Sequence, residues 1–250
     1  MKPINTIDDV IRELEYILQY AIDHNSTTGY FAALYLKVTK KVKQGIAEGF
    51  FEDGPRMEKL DVIFAKRYIE AYHQFRNGKT PSMAWTRAFA LTDTFWPIVL
   101  QHLLVGMNAH INLDLGIAAA EVQRGKPMDD LHTDFNRINQ ILSSLVADVE
   151  RDLSSIWPFL AKLLRWTRHF DNFLIDFSME LARDGAWKFA VALADTPEKQ
   201  QPKFIAARDE KVAKKAEIIT QPGWIVRLLF AIIRLGEKGS VAQKIQDLNS

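Results

Sequence analysis

The chain has 250 residues, 48% apolar and 25% charged, with a formal net charge of +1 at pH 7 and no cysteine. These are ordinary globular values, and they exclude disulfides, thiolate zinc sites and cysteine nucleophiles. The near-neutral balance also lacks the basic stripe that nucleic acid demands, so no nucleic-acid partner is expected; the Lys37, Lys40, Lys41, Lys43 group reads as a solvated helix face.

Ile7, Val10, Ile11, Leu14, Leu18 and Ile22 recur at i, i+3, i+4 spacing and predict a first helix. The opening MKPINTIDDVIREL runs straight into it without the apolar stretch of a signal peptide. A break at Ser26 to Thr28 leads into a second helix, stopped near Gly49 by EGFFEDGP. A third runs from about Met57 to Arg76 and ends at Asn77-Gly78. Pro81-Ser82 start the next, which LTDTFWP interrupts. Thr94 is the expected cap of a long central helix, Phe95 to Gln123, with Pro97 in its first turn. Asp129 or Asp130 opens another, to about Asp152, and further helices are expected near 155–166, 169–194, 201–219 and 222–237. HINLDL alternates polar and apolar residues as a strand would, but good helix formers flank it on both sides. No stretch approaches the roughly 18 uncharged apolar residues of a membrane span. The expectation is a soluble, cytoplasmic, all-α protein: one domain over 1–250, a bundle of about eight to ten helices around a buried central helix.

The central helix carries the chemistry. Its sequence is apolar almost all round, so other helices must surround it. At 100° per residue His102, Gly106, His110 and Asp114 form one slowly drifting stripe, and Asn108 and Asn112 form another on nearly the opposite side. His110 and Asp114 stand one turn apart, which lets the carboxylate orient the imidazole or lets both bind one ion. His102 lies two turns from His110, about 12 Å along the axis, too far to share one ion on a straight helix. Gly106 opens a notch for a ligand or a close approach for a neighbouring helix.

Partners for this stripe are sought among acids in apolar surroundings: Asp61, with Phe64 and Tyr68 down the same face; Asp134, beside Phe135 and Ile138; and Asp171, Asp176, Ser178 and Arg183 in the later RHFDNFLIDFSMELARDGAW. Two histidines with several carboxylates suit zinc, iron or manganese, so His102, His110, Asp114, Asp61 and Asp134 are the expected metal ligands. The reaction expected of such a site is metal-dependent hydrolysis of an ester or phosphoester. The alternative is a non-catalytic module binding an apolar small molecule, with aromatic residues such as Phe95, Trp96, Phe159, Trp166, Phe170, Phe173 and Trp187 lining a cavity. PGWIVRLLFAIIRLGEK is a dense apolar run cut by Arg227 and Arg234; it packs on the domain in one reading and lies on a bilayer or a partner helix in another.

The segments LDVIFAKRY, LQHLLVGMNAHINLDLGIAAAE, DFNRINQIL and FSMELARDGAW resemble an uncharacterised all-helical bacterial family, over about Asp61 to Trp187. That resemblance implies the fold and brings no activity. A fainter likeness is to helical zinc-dependent phospholipases and nucleases, whose GxxxHxxxD pattern is matched by Gly106, His110 and Asp114. Their further HxxxE pair and additional histidines have no counterpart here.

Overall fold

In a computed structural model, residues 3–92, 94–156 and 179–249 are described. The helices are α1 (Ile7–Asp23), α2 (Gly29–Ala47), α3 (Gly54–Arg76), α4 (Met83–Phe89), α5 (Val99–Ala109), a π-helical segment (His110–Leu115), α6 (Gly116–Val122), α7 (Asp129–Ile156), α8 (Met179–Ala194), α9 (Gln201–Thr220), α10 (Trp224–Gly236) and α11 (Val241–Asn249). A 3₁₀ turn, Glu198–Gln200, precedes α9. No strand occurs among the described residues. The expected all-α bundle is therefore what the chain forms. The expected helix over 155–166 beyond its first two residues, the first part of that over 169–194, and Phe159, Trp166, Phe170, Asp171, Phe173, Asp176 and Ser178 lie outside the described residues.

Local chemistry accounts for several helix starts. Thr6 accepts from the Asp9 amide at 3.2 Å while Asp9 accepts from the Thr6 amide at 3.0 Å, a reciprocal box that pins α1. Asp53 caps α3, with Pro55 in its first turn, and Ser82 caps α4. The central helix departs from expectation: it starts at Val99, not Phe95. Pro97 disfavours a helical residue before it, and the Gln101 side chain accepts from the Ile98 amide at 3.2 Å. The Thr94 hydroxyl instead donates to the Leu91 carbonyl at 2.9 Å. Helix α11 was not expected; it is short, with a single apolar stripe of Val241, Ile245 and Leu248.

The helix Val99–Val122 is the spine of the fold. It packs on α2, α4 and α9 through its first half and on α3 and α8 through its second. Leu103, Leu104, Ala109 and Leu113 join one apolar cluster; Ile111, Leu115, Ala118 and Ala119 join a second. By length and composition this helix reaches what a membrane crossing needs, which departs from the expectation of no such stretch; 94% of its most apolar window is buried among its neighbours. Gly106 is a close-approach glycine: a methyl group there would come within 2.4 Å of the Phe31 ring, so α2 fills the place read as a notch.

Candidate functional site: a histidine in an aromatic cage

HINLDL is neither strand nor regular α-helix. It is a six-residue π-helix spliced between α5 and α6. Such wide turns cost backbone hydrogen-bond geometry and cluster at functional sites. Here the Gly116 amide bonds the Leu113 carbonyl, and the Asn112 carbonyl takes Arg208 Nε from α9 at 2.8 Å. Asn112 Nδ2 donates to Asn108 Oδ1 at 3.1 Å, and Asn108 Nδ2 donates to the Val212 carbonyl at 2.9 Å. The two-asparagine stripe thus ties the spine to α9.

The other side of the segment presents His110 and Asp114. Asp114 is fully buried and accepts three hydrogen bonds: Arg67 Nε to Oδ1 at 2.7 Å, Trp85 Nε1 to Oδ2 at 2.8 Å, and His110 Nδ1 to Oδ2 at 3.1 Å. Aromatic rings enclose the His110 imidazole. Phe64 stacks on it with centroids 3.6 Å apart, Tyr35 meets it edge-on at 4.5 Å, and Phe31, Trp85 and Tyr68 stand at 5.8, 5.9 and 6.1 Å. Helices α2, α3 and α4 supply the cage and the spine supplies its occupant.

An acceptor-only carboxylate at Nδ1 fixes the tautomer: Nδ1 carries the proton and Nε2 keeps its lone pair. Burial pushes His110 below the usual histidine range, more than the hydrogen bond and charge of Asp114 pull it back. The ring is therefore neutral at pH 7. Its Nε2 is buried and has no hydrogen-bond partner. The Tyr35 and Tyr68 hydroxyls around it are in the same condition; the Thr39 hydroxyl donates to the Tyr35 carbonyl at 2.9 Å. Burial raises both phenols, and for Tyr35 the charges of Asp61 and then Asp114 add to it, so both stay protonated donors. Asp61, one turn before Phe64 on α3, also holds an unpartnered buried oxygen. Burial, and then the charge of Glu58, push its carboxyl up to about 7.

The remaining expected ligands lie elsewhere. His102 is buried edge-on to Tyr30 at 5.4 Å, and burial, with help from the Arg234 and Lys244 charges, pushes it down to about 3. The 40° drift per turn turns it away from His110. Asp134 sits on α7, where Glu52 and Asp53 amides donate to it at 2.7 and 3.0 Å, and Arg56 and Arg137 at 3.0 and 3.3 Å. Burial pushes its carboxyl up, but these donors outweigh it and hold the group below the usual range. Among the described residues no three His, Asp or Glu side chains gather so as to hold a metal ion. Of the five expected ligands, His110 and Asp114 are in contact, with both Asp114 oxygens already engaged, while His102 and Asp134 meet other partners.

Arg67, Trp85, Tyr35 and Phe31 were missed as site residues. Arg67 had one available signal: it is a cation one turn from Phe64 on a helix whose face is otherwise aromatic. The chain matches no curated protein and no solved structure. A family pattern does match, over residues 7–222, the greater part of the length. The chain belongs to that family, DUF5995, a family of unknown function.

Proposed function

We propose that this chain is a non-catalytic helical module that binds a small, largely apolar molecule by its polar end at His110. The observation that carries this reading is the set of unpartnered polar atoms in one cage: His110 Nε2 and the Tyr35 and Tyr68 hydroxyls. Each buried group without a partner costs about 1–3 kcal/mol, and one ligand hydroxyl, donating to Nε2 and accepting from a tyrosine, relieves two or three of them at once. Catalysis is the weaker reading. A general base works best with a pKa near the working pH, and burial moves His110 downward, away from it. The ring is a good hydrogen-bond acceptor and a poor proton acceptor.

Phenol and toluene separate the two demands, because they share a ring and only phenol has the hydroxyl. Calorimetric titration of the wild type should show phenol binding more tightly than toluene. In His110→Phe that preference should vanish, while the aromatic cage remains filled. If phenol and toluene bind alike to the wild type, or if neither binds, the reading is wrong.

A further inference from the structure

Helix α10 has two apolar faces. Phe230 and Ile233 are buried against the bundle, with Val226 beside them. Trp224, Leu228, Ile232 and Leu235 form a ridge on the opposite side, 77, 58, 50 and 73% exposed. At 1.5 Å per residue the ridge is roughly 16 Å long. Phe95 and Trp96, each 60% exposed, stand at its end. Arg234 holds them there: its Nε donates to the Phe95 carbonyl, and its guanidinium lies 4.6 Å over the Phe95 ring.

We propose that this ridge docks the protein on an anionic lipid surface. The charge around it chooses the occupant. Residues 221–240 contain Arg227, Arg234 and Lys238 and one acid, Glu237. Glu237 is turned inward: its side chain is 4% exposed and accepts from the Val99 amide at 2.8 Å, Arg234 at 3.0 Å and Lys244 at 2.9 Å. Arg227 and Lys238 face solvent, so the outward charge of the segment is positive. A second copy packed ridge to ridge would bring these cations together with no acid of the segment to answer them. Anionic headgroups answer them directly, while the apolar ridge and the two tryptophans enter the headgroup–acyl boundary.

The test is co-sedimentation of the full chain with vesicles of phosphatidylcholine alone and vesicles rich in phosphatidylglycerol. The wild type should pellet with the anionic vesicles, and less as salt is raised. Leu228→Glu with Leu235→Glu changes exposed positions only and should cut partitioning by roughly tenfold or more; Arg227→Glu should weaken binding to anionic vesicles alone. Equal sedimentation of the double variant and the wild type would overturn the proposal. So would a wild type that ignores both vesicles, or a self-associated wild type that the double variant dissociates and that does not bind vesicles.

Discussion

Asp114 and Asp134 are both fully buried carboxylates that meet arginine, yet they serve different ends. Asp134 gives both oxygens to backbone amides of Glu52 and Asp53 and to Arg56 and Arg137, which belong to the α2–α3 connection, the start of α3 and α7 itself. Both of its own oxygens are satisfied; it is a clamp that fixes the α2–α3 connection against α7. Asp114 gives its oxygens to side chains, Arg67, Trp85 and His110. One of those, His110, passes the arrangement on as an imidazole with a fixed tautomer and a spare acceptor. A buried acid bonded to backbone stabilises the fold; a buried acid bonded to a ring that is itself unsatisfied prepares a site.

The sharpest way to break the comparison is to remove each acid. Asp134→Ala leaves two amides and a half-buried Arg56 without their acceptor, and removing one partner of a buried pair costs about 3–5 kcal/mol. Urea unfolding should show this as the largest loss, with the His110 tautomer unchanged by nitrogen-detected NMR. Asp114→Asn should cost less, about 1.5–3 kcal/mol, the range for hydrogen bonds to a charged group. Its signature lies in the same NMR spectrum: the wild type carries its proton on Nδ1, and the variant loses that fixed preference. A wild-type ring protonated on Nε2 would remove the basis of the site.

The pair at the heart of the site was legible in the sequence because His110 and Asp114 are one helical turn apart, and helical spacing is a local property. So was the two-asparagine stripe. The cage was not legible. Phe31 and Tyr35 stand on α2 and Trp85 on a seven-residue helix, and only tertiary packing brings them to His110. The π-helix was hidden for a related reason: the helix formers on either side of HINLDL predict a regular helix through it, and the Arg208 bond to the Asn112 carbonyl comes from α9. The two histidines part for want of angle. A stripe that drifts 40° per turn looks continuous in sequence, yet over two turns it delivers His102 to Tyr30 and His110 to Phe64.

The two buried histidines sharpen the comparison through pH. His102 titrates at about 3 in the folded chain against 6.5 when exposed. The stability this difference carries is present above pH 6.5 and is lost as pH falls, by about 2 kcal/mol at pH 5. His102→Gln should abolish that share, so the gap between variant and wild type in unfolding free energy should narrow or reverse from pH 7 to pH 5. A gap that does not move with pH would place His102 in a wetter environment than its burial indicates.

The effect expected at Asp61 runs the other way. Its folded carboxyl titrates at about 7 against 3.8 when exposed. A raised acid contributes stability that is complete below pH 3.8 and is lost as pH rises toward 7, because the unfolded chain ionises first. At pH 8 the wild type therefore carries the whole cost of a buried charge, about 4 kcal/mol. Asp61→Asn removes the charge but buries an amide with an unpartnered oxygen, which costs about 1–3 kcal/mol. The net should be a gain of about 1–3 kcal/mol at pH 8 and a loss at pH 4, read as opposite shifts in melting temperature. Unlike Asp114 and Asp134, Asp61 would then be an acid the fold is better without at high pH, and its unpartnered oxygen next to the cage is what sets it apart from them. Equal shifts at the two pH values would mean that Asp61 has a partner in solution and belongs with Asp134 after all.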